Sequence, residues 1–232
     1  MGNKGGSKHL NRIAAAPFGA ASRKSEVWLA KPEPGRHKLV ESMSLTVLVR
    51  DFLKLARDSR EAERIIKGGE VLLDGKAEKS PKAGVGLMDI VSIPKAGKTY
   101  RILTDYKGRM KLQELDKAKA GRKLCKITGK RTIAKGKIQL SLHDGRTLLA
   151  DNSYKVGDSL VLGLPSGKVE GNLRLEPGIR CLITKGKHSG VVGKLKEVTK
   201  GTDMLEANAK LDADGTEIVT VKKYLFAVGD EL

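Results

Sequence analysis

Hydrophobic positions between residues 44 and 93 recur first with a helical and then with a strand period. A helix is predicted over residues 44–56, because one face at its 3.6-residue period is apolar. That face comprises Leu45, Leu48, Val49, Phe52 and either Leu55 or Ala56. Arg50, Lys54 and Arg57 fall on the other faces.

A second, basic helix is predicted to follow at once. Asp58 and Glu61 have the spacing of a capping box, and Gly68-Gly69 supplies a left-handed stop. Its inner face holds Ala62, Ile65 and Ile66, and its outer face holds Arg60, Arg64 and Lys67. Asp74-Gly75 then predicts a tight hairpin, with returning strands over 85–88 and 90–93 that Pro94 and Gly97 end.

The flanking regions have different patterns. Residues 1–42 have no clear period and are broken by Gly and Pro, which predicts an extended arm with Trp28 as its anchor. Residues 106–174 alternate short apolar runs with glycine turns, which favours a small β-barrel or sandwich. The turn pairs are Lys107-Gly108, Thr128-Gly129, Lys135-Gly136, Asp144-Gly145 and Val156-Gly157, and a short helix is predicted over 116–120.

Residues 175–232 are predicted to form another small β unit. It contains strands over 178–183 and 191–198, a basic loop over 185–190 and a closing strand over 224–228. The fold class is therefore α+β and multidomain. The predicted domains are a basic N-terminal arm (1–42), a helix–hairpin domain (43–105), a central β domain (106–174) and a C-terminal β domain (175–232).

The charge of the chain indicates which kind of partner it binds. The chain of 232 residues has 45 Lys and Arg against 27 Asp and Glu, a net charge of +18. The net charge is +6 over residues 1–40, +2 over 41–105, +10 over 106–175 and 0 over 176–232. Such an excess predicts attraction to a polyanion. Aromatic residues are only 3% of the chain, which favours phosphate contacts with folded, largely double-stranded RNA over base stacking.

The basic side chains of the arm suit it to lie along phosphates and to order on binding. The candidates are Lys4, Lys8, His9, Arg12, Arg23 and Lys24.

Catalytic and metal-binding patterns do not emerge from the sequence. Gly97-Lys98-Thr99 lacks the earlier glycine of a phosphate-binding loop, since position 92 is Ser92. The four histidines are far apart and none has a zinc-like spacing to Cys125 or Cys181, so no metal, cofactor or small-molecule substrate is expected. Asp144 beside His143 is interpreted as part of a hairpin turn.

The two cysteines are interpreted as buried thiols in a reducing compartment. The chain starts with no signal peptide, and the Ala-rich run over 14–21 is too short to cross a bilayer. A cytoplasmic location without a membrane partner is therefore expected.

Two stretches of the helix–hairpin region, Ser59-Arg60-Glu61-Ala62 and Gly69-Glu70-Val71-Leu72-Leu73-Asp74-Gly75-Lys76, resemble the αL RNA-binding domain. That domain is shared by bacterial small-subunit ribosomal protein four, pseudouridine synthases and tyrosyl-tRNA synthetases. Arg suits the role because its planar fork grips phosphate bidentately. The resemblance implies RNA contacts at Arg50, Lys54, Arg57, Arg60, Arg64, Lys67 and Lys76.

The stretch from Ile179 to Val198 resembles a KOW motif, with its core over Ile183 to Leu195 and Gly190 as its turn glycine. KOW units are small β-barrels that touch RNA or protein in ribosomal proteins and elongation factors. The resemblance implies contacts at Lys185, Lys187, His188, Lys194 and Lys196, and leaves open whether they face RNA or protein.

The two motifs in this order, behind a basic arm, resemble archaeal and eukaryotic small-subunit ribosomal protein four over residues 1–229. The short tail after Gly229 is typical of the archaeal form. The family implies a structural rRNA-binding role on the small subunit, with neighbouring ribosomal proteins as further partners and no catalysis.

Two alternatives stay open at this point. The first is an RNA-modifying enzyme such as a pseudouridine synthase, which can carry an αL domain. Such an enzyme also needs a catalytic domain, and the residues after Tyr106 show no catalytic signature. A uridine-isomerisation assay would test this alternative. A KOW-containing elongation factor is the other, and a polymerase pull-down would test it.

Overall fold

A computed structural model describes residues 8–19, 26–116, 119–133, 136–199, 201, 206–213 and 215–230. Within these residues, three five-stranded antiparallel sheets follow one another along the chain, and the helices precede the first of them. The molecule is thus α+β and mostly β, as the sequence predicted at this coarse level.

The arm does not anchor where the sequence suggested. A two-residue ladder pairs β1 (Leu10–Asn11) with β2 (Trp28–Leu29), and a 3₁₀ turn covers Pro17–Gly19. Trp28 is 58% exposed, whereas Phe18 is 7% exposed and packs in the first core. The anchor is therefore Phe18, and the prediction of Trp28 was wrong. A second 3₁₀ turn, Leu39–Glu41, leads into the first domain.

The first helix is shorter than predicted. After β3 (Ser42–Ser44), α1 (Leu45–Val47) continues as a π-helical turn over Leu48–Phe52. Lys54 then adopts a left-handed backbone with φ +52°, so the helix cannot extend to residue 56. Of the two candidates for the last apolar position, Ala56 is buried and Leu55 is exposed.

The second helix, α2 (Ser59–Lys67), and the hairpin after it agree with the sequence prediction. The first sheet has the order β5-β4-β7-β8-β9, while β6 (Gly84–Gly86) pairs with β3 instead. Its strands are β4 (Leu72–Leu73), β5 (Lys76–Ala77), β7 (Ile90–Ile93), β8 (Lys98–Thr104) and β9 (Met110–Glu114). A 3₁₀ turn over Pro94–Ala96 and Gly97 at φ +64° end β7. Because β8 and β9 form one hairpin, this sheet runs to Glu114, beyond the boundary expected at 105/106.

The second sheet has the order β12-β11-β10-β13-β14. Gly129 lies inside β10, where the register with β11 shifts, so Thr128-Gly129 marks a bulge rather than the predicted turn. Residues 117 and 118 of the predicted helix 116–120 lie outside the described residues. Residues 119 and 120 form a turn, in which both N–H groups donate to the Asp116 carbonyl at 3.0 and 3.2 Å. The strands are β10 (Arg122–Thr132), β11 (Ile138–Leu142), β12 (Thr147–Ala150), β13 (Ser159–Gly163) and β14 (Lys168–Leu173).

The third sheet has the order β18-β17-β16-β15-β19. The predicted strands around 178–183, 191–198 and 224–228 are present, but the hairpin of β17 and β18 was not predicted. A 3₁₀ turn, Lys222–Tyr224, precedes the last strand. The strands are β15 (Arg180–Ile183), β16 (Val192–Val198), β17 (Asn208–Ala213), β18 (Thr216–Val221) and β19 (Leu225–Ala227).

Buried side chains join the three sheets. Met88, Leu124, Leu182 and Phe226 form one hydrophobic cluster although they come from the β6–β7 link, β10, β15 and β19. The ammonium of Lys126 on β10 reinforces this junction, since it donates to the carbonyls of Lys223 and Leu225 at 2.7 and 2.6 Å. The sheets therefore hold their basic surfaces in a fixed relation.

Candidate nucleic-acid interface

A stripe of basic side chains follows one face of α2. Arg60, Arg64 and Lys67 are spaced by three or four residues, so they share a face of the helix, and Arg57 directly precedes its N-cap residue Asp58. All four side chains are exposed. Lys67 pairs with Glu63 at 3.3 Å. Within the described part of the chain, the guanidinium groups of the three arginines make no ion pair, which leaves their donors available for phosphate. We call these four residues the α2 stripe.

Local sequence holds the stripe in place. The carboxylate of Asp58 accepts from the Glu61 backbone N–H at 2.8 Å, which caps the helix. Glu61 in turn accepts from the Arg57 N–H at 2.8 Å, one residue before the position that a capping box would use. Ala62 and Ile66 are fully buried on the opposite face. The helix therefore cannot rotate without exposing that apolar face, so the stripe points to solvent.

Arg50 occupies a different environment from the stripe. Its guanidinium donates to Asp51 at 2.6 Å, to the Ser59 hydroxyl at 2.8 Å and to Glu26 at 3.0 Å, and its side chain is only 13% exposed. These contacts tie the first helix to the start of α2 and to the arm. Arg50 thus supports the position of α2, and its donors are already bonded within the chain.

Two further lysines of this region are exposed. Lys54 follows the π-helical turn, and Lys76 lies on β5 directly after the Asp74-Gly75 turn. Positive φ at both Asp74 and Gly75, +54° and +76°, gives this turn the left-handed form that Asp-Gly favours.

The arm residues divide into three groups. Lys8 and His9 are exposed, and the His9 ring lies 5.7 Å from that of Trp28. Arg12 is 4% exposed and lies within 3.8 Å of Glu26 and Asp51 carboxylates, so the prediction of an RNA contact there conflicts with its burial. Lys4, Arg23 and Lys24 lie outside the described residues.

The candidate contact residues of the third sheet also differ in exposure and in ion pairing. Lys187 and Lys194 are exposed and have no ion-pair partner among the described residues. Lys185 forms an ion pair with Glu41, and Lys196 pairs with Asp212 at 3.2 Å. His188 is half-buried in the loop between β15 and β16.

A buried ionic network that sequence reasoning missed lies between the first two sheets. Lys123 on β10 is fully buried, and its ammonium lies 2.8 Å from Asp74, 2.6 Å from Asp89 and 3.1 Å from Asp144. Arg146 and Arg36 also contact Asp74, and the Nε2–H of His37 donates to Asp89 at 2.8 Å. The network joins the arm, the first hairpin and the second sheet.

The titration of this network follows from burial and charge together. Burial disfavours the ammonium of Lys123, but the Asp89 and Asp74 carboxylates outweigh it and raise its pKa. Burial also disfavours the Asp89 carboxylate, yet Lys123 and His37 hold its pKa well below the ordinary value. Burial and the nearby Asp89 raise the pKa of Asp74. The network is therefore a charge-matched structural element.

The potential ligand atoms of Cys125, His143 and Asp144 lie within 4.8 Å of one another, close enough to share a metal ion. Both ring nitrogens of His143 are already engaged: Nδ1 accepts from the Lys126 N–H at 3.2 Å and Nε2 donates to the Leu87 carbonyl at 3.0 Å. Burial raises the pKa of the Cys125 thiol well above its ordinary value. A ring without an available nitrogen and a protonated thiol are poor metal ligands, so this group is structural.

Both cysteines are buried, as the sequence predicted. Among the residues with described structure, no helix combines the length and the apolar character needed to cross a bilayer.

Comparisons with known proteins give one consistent result. A model of the ribosomal family S4e matches residues 96–169. Small ribosomal subunit protein eS4 of Methanosphaera stadtmanae is 43% identical over 232 residues, covering 100% of this chain and 96% of that protein. The eS4 of Methanothermobacter thermautotrophicus is 40% identical and covers 97% and 93% of the two chains. The crystal structure of the 30S ribosomal protein S4e from Thermoplasma acidophilum has a TM-score of 0.69 at 33% identity, and covers 82% and 95%.

Proposed function

The chain belongs to the ribosomal family S4e, and from that premise we propose that it is a structural component of the small ribosomal subunit that binds and positions rRNA. The family resemblance inferred from its motifs is confirmed by relatives about as long as this chain. Membership of a ribosomal-protein family also confirms the prediction that the chain is structural and not an enzyme.

The observation that carries the rRNA-binding part of the proposal is the α2 stripe. Arg60 and Arg64 project from a capped helix whose other face is buried, and Arg57 directly precedes the N-cap residue. None of the three is neutralised by a carboxylate within the described part of the chain. Each guanidinium can take a phosphate bidentately, and a rigid helix keeps the spacing between them. Counterion release on phosphate contact then supplies much of the affinity.

The remaining candidates take graded roles in this proposal. Six exposed side chains are proposed as further contacts: Lys8, His9, Lys54, Lys76, Lys187 and Lys194. Arg50 and Arg12 are proposed to support the arm and α2 rather than to touch RNA, because their guanidinium groups lie among Asp51 and Glu26.

The domain functions follow the same proposal. Residues 1–42 form the basic arm, 43–114 an αL-type unit that includes the whole first sheet, 115–174 a central β unit and 175–232 a KOW-type unit. The arm lies along rRNA, and neighbouring small-subunit proteins cover part of the remaining surface. The expected location is the ribosome.

Sedimentation of native lysate tests the proposal. The chain should migrate with small subunits on a sucrose gradient, and should remain there at moderate salt because several phosphate contacts act together. After magnesium is chelated to separate the subunits, it should follow the small and not the large subunit. A chain found only at the top of the gradient, or with RNA polymerase, would contradict the proposal and revive the elongation-factor alternative.

A further inference from the structure

An exposed aromatic ring stands at the tip of the turn between β8 and β9. Tyr106 is 63% exposed although the chain has few aromatic residues. The turn beneath it is firmly built: the Asp105 N–H donates to the Arg109 carbonyl at 2.7 Å, the Gly108 N–H donates to the Asp105 carbonyl at 2.8 Å, and Gly108 has φ +69°. The backbone that carries the exposed ring is therefore fixed by the turn.

One cation lies over this ring, and a second follows it in the turn. The Lys107 ammonium lies 5.1 Å from the centroid of the Tyr106 ring, within the range of a cation–π contact. Lys107 and Arg109 are both exposed. A ring with an ammonium over one face leaves the other face for a planar partner, and the same ammonium can reach an anionic group attached to it.

The basic loop of the third sheet packs directly against this turn. A Cβ on Gly190 would lie 2.7 Å from the Thr104 carbonyl oxygen and 2.8 Å from the Asp105 carbonyl carbon, so the two backbones are in contact. Ser189 is 1% exposed and its hydroxyl donates to the Thr184 carbonyl at 3.2 Å, which fixes the loop. Lys187 of this loop is exposed, whereas Lys185 is engaged by Glu41.

We define the Tyr106 patch as Tyr106, Lys107 and Arg109 of this turn together with Lys187 of the loop that packs against the turn. The carboxylate of Asp105 is the acidic group within the turn, so the patch carries an excess of positive charge. An aromatic platform flanked by cations is the arrangement that binds an unpaired nucleotide, since any base offers a π face and its phosphates are anionic.

We propose that the Tyr106 patch binds an unpaired nucleotide of small-subunit rRNA, with the base stacked on Tyr106 and the flanking phosphates on Lys107, Arg109 and Lys187. This inference rests on the proposed rRNA-binding function and adds a single-stranded contact to it. The sequence alone favoured duplex phosphate contacts, because 3% aromatics gives no cluster of platforms. One ring in the right place is enough for one base.

The test separates stacking from charge by its salt dependence. Full-length protein is titrated with purified small-subunit rRNA at several salt concentrations. Tyr106→Ala should weaken binding by about 5- to 150-fold, the range of one lost base stack, with an unchanged salt slope. Tyr106→Phe should bind like the wild type, and Tyr106→Leu, which is apolar but not aromatic, should not. Lys187→Ala should instead lower the slope by about 0.9 or slightly less.

Each other outcome decides against the proposal in a distinct way. If Tyr106→Ala and the wild type bind rRNA with equal affinity, the nucleotide site is overturned. If that variant also incorporates poorly into small subunits, the patch contacts a neighbouring protein instead. Retained binding by Tyr106→Leu would also overturn stacking. Circular dichroism and thermal unfolding check that the variants fold. If the wild type itself shows no salt-dependent binding to rRNA, the proposed function fails first, and independently of Tyr106.

Discussion

At the scale of single residues, the side chains that fix the architecture are those whose partners are far away in sequence. Lys123 meets Asp74 and Asp89, which are 49 and 34 positions distant. No local period or spacing links these residues, so the sequence could not reveal the network. The apolar faces of the helices, by contrast, were predictable because helical periodicity is a local property.

Removing the charge of Lys123 should be costly for this reason. Lys123→Met keeps the length of the side chain but leaves three buried carboxylates without their shared cation. We expect the free energy of unfolding to fall by about 3–5 kcal/mol, as when one partner of a buried ion pair is removed. Denaturant titration measures it.

Arg122→Met, at the neighbouring position, is the matched control. Arg122 pairs with Glu170 at 3.1 Å, but its side chain is 57% exposed. An exposed pair contributes at most about 1 kcal/mol. If the two variants lost equal stability, the network would have no special role.

His143 should make the protein sensitive to mild acid. Burial is the main cause that lowers its pKa to about 4, with Lys123 and His37 acting in the same direction and Asp144 opposing them. Because the unfolded ring takes up a proton near pH 6.5 and the folded ring does not, the free energy of unfolding should fall as the pH drops from about 6.5 to 4. The contribution of His143 is about 3 kcal/mol.

His143→Gln, whose amide can accept and donate but does not titrate in this range, isolates the effect. Its unfolding free energy should depend less steeply on pH than that of the wild type between pH 6.5 and 4. Parallel curves for the two proteins would show that the ring is not the group responsible.

At the scale of elements, local signals succeeded where a turn or cap decides the geometry. Asp58 caps α2 and Asp74-Gly75 closes its hairpin, as predicted. The hairpin of β17 and β18 was missed although Asp214-Gly215 lies between two alternating runs, and Gly215 does adopt φ +81°. Thr128-Gly129 was predicted to be a turn but lies in a strand, since a glycine can mark a bulge as well as a turn.

The α2 stripe allows a prediction about a whole element. Arg60→Ala with Arg64→Ala should weaken rRNA binding and lower the slope of log affinity against log salt by about one to two units, at roughly 0.9 per phosphate contact. The helix should persist, because both side chains are exposed and its cap and buried face are unchanged. Binding isotherms over a salt series measure the slope.

A control that removes the same charge elsewhere is available on β17 and in the 3₁₀ turn before β19. Lys210→Ala with Lys223→Ala also removes two positive charges, but both lysines pair with glutamates, Glu197 and Glu206, and neither is a proposed contact. Its slope should stay close to that of the wild type. An unchanged slope in the arginine variant would exclude Arg60 and Arg64 from the RNA contact.

At the scale of the whole molecule, the proposed role depends on how the sheets are joined. A protein that positions several RNA segments must keep its basic surfaces at fixed distances. Composition predicted that the partner carries negative charge, and the motifs predicted the separate structural units. The junctions between the sheets could not be predicted from the sequence, because they depend on the packing of distant segments. Examples are the hydrogen bond from Lys126 to the Leu225 carbonyl and the contact between Gly190 and Thr104.

Gly190 tests the junction between the first and third sheets. It has φ +79°, and an added Cβ would lie 2.7 Å from the Thr104 carbonyl oxygen, so Gly190→Ala must both strain its backbone and push the β8–β9 turn away. Gly215→Ala is the matched control, since Gly215 has φ +81° and nothing described lies within 4 Å of its added Cβ. The control should lose about 1–2 kcal/mol of unfolding free energy from strain alone. Gly190→Ala should lose clearly more, and denaturant titration measures both.

Gly190→Ala should also weaken rRNA binding more than Gly215→Ala does, because Lys187 and the α2 stripe would no longer hold a fixed separation. Equal losses in both assays would mean that the sheets do not depend on this contact for their arrangement.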